Sequence, residues 1–233
     1  MKVTLLIPTL NEVDGMKAVV PRIKRTWVDQ IVVIDGGSVD GTVEYVKQAG
    51  FTLIHQKAKG LSSAYREALP YVTGDIIVGF SPDGNSIPEL IPVLIAKMKE
   101  GFDMVIVSRY LEHARSEDDD KVTAFGNWLF TKIINILFGG HYTDSLVMFR
   151  AWRKSVYNLL LDHNVPGRAG FETLSSVLCS KYKLKVTEIP GDEPKRIGGK
   201  RKMNPLLNGT AVLKFILSEF FSRKDRRLSK KNA

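Results

Sequence analysis

Short apolar runs alternate with segments of helical periodicity over the first half of the chain. Val3–Ile7, Ile31–Ile34, Thr52–His55, Asp75–Phe80 and Met104–Val107 are brief and rich in Val and Ile, the pattern of strands covered on both faces. Residues 14–26, 40–49, 61–70 and 88–100 between them carry helical patterning. Such alternation predicts an α/β fold with a mostly parallel, twisted sheet flanked by helices. Beyond residue 110 the pattern changes. The acidic stretch 112–121 reads as a mobile connector, and 125–138 as a strongly apolar helix. Residues 151–163 and 171–181 predict two further helices, Leu184–Ile189 a late strand, and 205–222 a last apolar helix.

In parallel sheets ligands bind beyond the carboxyl ends of the strands. The polar punctuation of this chain falls there. Thr9-Leu10-Asn11-Glu12 follows the first strand and Asp35-Gly36-Gly37-Ser38 the second. Ser81-Pro82-Asp83-Gly84-Asn85 follows the fourth and Ser108-Arg109-Tyr110 the fifth. Polar loops gathered on one sheet edge predict a site.

Composition narrows the partners. The 233 residues carry 34 basic and 25 acidic side chains, a formal charge of +9, which favours an anionic partner. The excess is concentrated: Lys195–Lys202 holds five basic residues in eight, and 223–233 holds six against one acidic. The chain is expected to fold as one domain over 1–222, with 223–233 a disordered basic tail. The single cysteine, Cys179, excludes an intrachain disulfide and a cysteine-rich zinc site. No run of 18 apolar residues is present to span a bilayer, and the apolar start is too short for a signal peptide.

The segment 31–42, IVVIDGGSVDGT, carries the most chemistry. A buried strand ends in a carboxylate that can accept from a base or ribose, followed by glycines that let backbone approach a ligand. The ordinary alternative is a strand-to-helix turn capped by Ser38 or Asp40. Together with Pro8-Thr9-Leu10-Asn11-Glu12, the segment resembles glycosyltransferase family 2, and within it the dolichol-phosphate mannose synthase-like branch, over about residues 3–205. The family's second aspartate is Gly36 here. The resemblance implies a GT-A fold and an inverting transfer from a nucleotide-diphosphate sugar. It places Pro8, Asn11, Glu12, Asp35, Gly37 and Ser38 around the nucleoside, and Gly60, opening a helix, near the diphosphate.

The metal loop departs from the family's Asp-x-Asp. Ser81 stands at the first aspartate, Asp83 at the second, and Pro88-Glu89 follow as in the family. Hard oxygen ligands are what Mg²⁺ or Mn²⁺ requires; Asp83, Asn85 and Ser81 are the candidates, against the alternative of a plain turn. Arg109 resembles the arginine after the fifth strand and is expected to act in catalysis on phosphate or sugar. Asp144, in Asp144-Ser145-Leu146-Val147-Met148-Phe149-Arg150, is expected to face sugar or acceptor, or else to cap a helix over 145–157. Arg150, Arg196 and Lys202 are the expected phosphate or acceptor contacts.

Apolar helices beside a polybasic tail suit an anionic membrane surface. The resemblance implies a polyprenyl phosphate acceptor, and hence a cytoplasmic enzyme lying at the inner face of a membrane, alone, as a homo-oligomer or with a membrane-protein partner. A glycan hydroxyl acceptor, or an inactive binding protein of this fold, is the alternative that Gly36 and Ser81 keep open. Nucleic acid is excluded as a partner: no helix-turn-helix, finger or RNP-like pattern occurs, and strand-end carboxylates repel phosphate.

Overall fold

Strands whose side chains are apolar on both faces need cover on both sides, and the chain supplies it. The computed structural model describes residues 1–163, 169–198 and 205–222. Its strands are β1 (Val3–Thr9), β2 (Gln30–Asp35), β3 (Thr52–His55), β4 (Ile76–Gly79), β5 (Met104–Ser108), β6 (Arg150–Arg153) and β7 (Val186–Pro190). The helices are α1 (Val13–Val19), α2 (Thr42–Gln48), α3 (Leu61–Ala68), α4 (Ile91–Lys99), α5 (Lys121–Phe138), α6 (Lys154–Leu161), α7 (Phe171–Lys181) and α8 (Pro205–Phe221).

The sheet runs β3-β2-β1-β4-β6-β5-β7. All neighbours are parallel except β6, which is antiparallel to both β4 and β5. The double reversal leaves β1, β2, β4 and β5 pointing the same way, so their four polar loops share one edge, as expected. Leu5–Ile7, Val32–Ile34, Ile76–Val78 and Met104–Ile106 are all fully buried between the helical layers. A ring cluster of Tyr65, Trp152, Tyr157 and Phe171 closes the core under α3, α6 and α7.

Four expectations change. The predicted helix over 151–163 begins as strand β6 and becomes helical only at Lys154. No helix starts at Ser145. The first helix stops at Val19, where Pro21 allows only a 3₁₀ turn. The acidic connector is tied down: Glu117 N–H donates to the Glu193 carbonyl, and Asp120 caps α5 by accepting from Thr123 N–H at 2.8 Å. No helix among the described residues is long and apolar enough to cross a membrane.

Candidate active site

At one end of the edge, the loops after β1 and β2 are stitched together. Asn11 N–H donates to Ser38 Oγ (2.8 Å), and Asn11 Oδ1 accepts from Val39 N–H (2.8 Å). Asp35 is buried, and its carboxylate accepts from Gly37 N–H (2.9 Å) and Ser38 N–H (3.1 Å). Gly37 sits at φ +98°, a conformation open to glycine and strained for most residues. Glu12 N–H donates to Thr42 Oγ1 at 3.1 Å. Pro8 lies in register with Ile34, and Gly60 opens α3 with its carbonyl accepting from Gln56 Nε2 at 2.7 Å. The predicted nucleoside residues are thus brought together, with Asn11 and Ser38 spending side-chain hydrogen bonds on loop-to-loop contacts. His55 Nδ1, which the sequence did not single out, lies 3.9 Å from Asp35 Oδ2.

The loop after β4 holds Ser81, Asp83 and Asn85 along one cavity. Asp83 Oδ1 accepts from Asn85 N–H at 3.3 Å. Residues 194–198 lie across this loop. Ile197 N–H donates to the Asp83 carbonyl (2.7 Å), and Arg196 Nη2 stands 3.4 Å from Asp83 Oδ2 and 3.1 Å from Asp118 Oδ2. Gly84, at φ +93°, leaves room for Ile197: a Cβ there would meet Ile197 Cγ1 at 2.5 Å. One carboxylate, one amide and one hydroxyl are too few for a cation alone, and the described residues contain no group of three or more His, Cys, Asp or Glu that could hold one. The set does fit a cation sharing the oxygens of a bound diphosphate, since Mg²⁺ commonly takes one or two carboxylates plus substrate phosphates.

Two expected contacts prove to be internal. Asp144 is fully buried; it accepts from Arg109 Nε (2.6 Å), Arg109 Nη2 (3.0 Å), Arg109 N–H (3.2 Å) and Asn127 Nδ2 (3.0 Å). Burial pushes its carboxyl up, but the charge and hydrogen bonds of Arg109 outweigh that and hold it below the usual range. Its side chain is closed to solvent and caps no helix. Arg150 is also fully buried, donating to the carbonyls of Val147, Ser145 and Glu172 and to Ser176 Oγ, so it braces the turn before β6. The desolvated charge explains its lowered pKa.

Arg109 lines the cavity but is engaged on every side. Its Nη1 reaches Asp119 and Glu193 at 3.0 Å each, beside the Asp144 pair. Burial raises the Glu193 carboxyl despite Arg109. Asp118, Asp119 and Glu193 were missed by sequence reasoning. The available signal was an acidic run, Glu117–Asp120, inside a basic chain, passed over as a connector. Gly199, Lys202 and the basic tail lie outside the described residues.

From the loop after β4 a cavity of about 670 Å³ runs between α5 and α8. Phe125, Leu129, Phe130 and Ile133 line one wall, Val212 and Leu213 the other, and a Cβ added at Gly209 would meet the Phe130 ring at 3.6 Å. The same two helices carry the large exposed apolar side chains Val122, Phe125, Trp128, Ile136, Leu207, Leu213, Leu217, Phe220 and Phe221.

Glycosyltransferase AglJ of Haloferax volcanii is 27% identical over 213 residues, 90% of this chain and 69% of that relative. Dolichol-phosphate mannosyltransferase of Pyrococcus furiosus is 29% identical over 235 residues, 93% of this chain and 62% of the relative. Undecaprenyl-phosphate 4-deoxy-4-formamido-L-arabinose transferase of Salmonella choleraesuis is 27% identical over 219 residues, with 86% and 62% covered. The chain therefore spans roughly two thirds of the length of these relatives. Glucosyl-3-phosphoglycerate synthase of Mycobacterium tuberculosis, solved with Mn²⁺, uridine diphosphate and glucosyl-3-phosphoglycerate, superposes with a TM-score of 0.71 at 19% identity, over 96% of this chain and 81% of that one. That likeness shows the GT-A fold. The profile described as glycosyl transferase family 2 matches residues 4–161, more than half of the chain, and the chain belongs to that family.

Proposed function

We propose that this protein transfers a sugar from a nucleotide-diphosphate donor to a polyprenyl phosphate, with inversion, at the inner surface of a membrane. The observation that carries the reading is the apolar cavity between α5 and α8, which begins at the metal loop and is bounded by the helices with the exposed apolar faces. A polar head at Asp83 and a hydrocarbon chain along Phe130, Ile133 and Val212 match that layout. Two relatives named as dolichol-phosphate and undecaprenyl-phosphate sugar transferases support it. So do the exposed Phe125 and Trp128, stacked at 5.8 Å, which suit the headgroup boundary of a bilayer.

In this reading Glu12 and Asp35 hold the nucleoside, with Pro8, Asn11, Gly37 and Ser38 shaping the loops around it and Gly60 opening α3 toward the diphosphate. Asp83, assisted by Asn85 and Ser81, would hold Mg²⁺ or Mn²⁺. The cation supplies Lewis-acid stabilisation of the charge gathering on the departing nucleoside diphosphate. An acceptor phosphate oxygen forms the new bond to the anomeric carbon, and the electron pair of the breaking carbon–oxygen bond leaves with the diphosphate. A phosphate is already anionic near neutral pH, so no general base is required. Asp144 positions Arg109, and Arg109 fixes Asp119 and Glu193 in the cavity lining. Arg196 meets phosphate charge, with Lys202 as its expected companion.

A second reading, transfer to a glycan hydroxyl, draws on the carboxylates Asp119 and Glu193 that line the cavity; the raised Glu193 is a chemically suitable base. One experiment separates the two. Nucleoside diphosphate release is measured from UDP- and GDP-sugars with Mg²⁺ or Mn²⁺, with and without a polyprenyl phosphate. Release that needs both cation and lipid phosphate is the expected result. Release driven by glycans and indifferent to the lipid would transfer the assignment to the second reading.

A further inference from the structure

Arg196 does more than wait for phosphate. Its guanidinium is anchored on Asp118 through Nε (3.4 Å) and Nη2 (3.1 Å), and the same Nη2 lies 3.4 Å from Asp83 Oδ2. The negative charges of Asp118, Asp83 and Glu12 converge on it, and although burial opposes its charge they raise its pKa. The backbone beneath is held separately, by Ile197 N–H on the Asp83 carbonyl and by Ile197 packed over Gly84. The guanidinium can therefore leave Asp83 by side-chain rotation while keeping Asp118.

We propose that Arg196 is the internal counter-ion of the Asp83 site, neutralising that carboxylate until a divalent cation arrives together with a diphosphate. The proposal rests on the reading of Asp83 as the metal ligand. A lone dication must displace the guanidinium from the one carboxylate the loop offers and gives it nothing in return. A dication carrying a nucleoside diphosphate gives Arg196 a new anionic partner, so the lost contact is replaced. Cation and donor then load as one unit. Asp144, Asp119 and Glu193 nearby are already held by Arg109, and Asp118 by Arg196 itself.

The test is direct titration of Mn²⁺, read by the electron paramagnetic resonance of the free ion, on wild type, Arg196→Gln, Arg196→Lys and Asp83→Ala. Each is measured without nucleotide and then with saturating UDP or GDP, and thermal melting checks folding. Without nucleotide, Arg196→Gln should bind Mn²⁺ about tenfold more tightly than wild type, the equivalent of ~1.4 kcal/mol and near the low end for a charge-assisted contact. Arg196→Lys, which keeps the charge, should stay close to wild type. The tightening by nucleotide should shrink in Arg196→Gln. Equal nucleotide-free affinities in wild type and Arg196→Gln, with nucleotide-dependent binding still lost in Asp83→Ala, would overturn the proposal alone. Absence of Asp83-dependent Mn²⁺ binding even with nucleotide would overturn the metal reading and the proposal together.

Discussion

Replacing Asp144 by Ala separates a residue that reacts from one that holds another in place. The side chain is fully buried and accepts four hydrogen bonds, three from Arg109 and one from Asn127. Its removal leaves those donors without an acceptor in a site closed to water. Removing one partner of a buried ion pair costs about 3–5 kcal/mol. Arg109 keeps Asp119 and Glu193, so the low end applies, ~3 kcal/mol. For a chain of 233 residues this corresponds to a fall in melting temperature of about 6–12 °C. Differential scanning fluorimetry measures the fall, and nucleoside diphosphate release gives the kinetics on the same sample. A positioning role predicts destabilisation with a partial loss of turnover. A variant melting within ~2 °C of wild type yet inactive would refute the reasoning, and would return Asp144 to direct contact with sugar or acceptor.

Asp83→Ala should lower nucleoside diphosphate release by about a hundredfold or more, the scale of losing one electrostatic stabiliser, with melting unchanged; near-normal release removes the metal assignment. Gly84→Ala should cost about 1–3 kcal/mol, because φ +93° is strained for alanine and Ile197 stands in the way; melting tests this, and an unchanged value would mean that 194–198 lifts off freely. Phe125→Ser with Trp128→Ser should weaken flotation with anionic vesicles at least tenfold, each ring being worth about 1.5–3 kcal/mol on burial; equal flotation would detach α5 from the membrane reading. The pH profile follows from opposed shifts. Burial chiefly raises Glu188 and Glu193, so their contribution to stability is full below the ordinary glutamate value of about 4.3 and fades as pH rises through their folded values. Asp144, lowered overall, contributes above about 3.9 and loses that contribution as pH falls. The melting temperature should therefore peak in mildly acidic solution, and a peak at pH 8 would contradict the assignment.

The parallel half of the sheet was legible because β1, β2, β4 and β5 are unbroken apolar runs between helical segments, and a strand buried on both faces leaves few other readings. Strand β6 was not. Arg150-Ala-Trp-Arg has arginines at both ends and passes directly into α6, so neither alternation nor length marks it. The meeting of the loops after β1 and β2 was legible because motif and strand end coincide. Asp144 and Arg150 were misread for a physical reason: charged side chains are almost never fully buried, so a charged residue in a motif is taken to face a ligand. Their partners come from Ser108–Tyr110, from α5 and from α7, and only the packed fold shows the pairing. The connector was misread for the converse reason: consecutive acids look solvated, whereas Asp118 and Asp119 are committed to Arg196 and Arg109.

These pairings change what the basic charge of the chain means. A net +9 suggests a cleft ready for anions. Yet among the described residues lining the main cavity, Asp83, Asp119, Asp192 and Glu193 stand against Arg109 and Arg196. Both arginines are already paired with acids. A donor diphosphate entering that cleft meets more negative charge than positive, and a lipid phosphate adds to it. In a partly desolvated site such repulsion is screened far less than at the surface. Positive charge can therefore reach the cleft by a metal carried on the donor or by an arginine released from an internal acid. Ser81 fits this account. A second carboxylate in its place would deepen the deficit in the free protein. With Asp83 as the loop's one carboxylate, a single guanidinium is enough to neutralise it until the donor brings its own counter-ion.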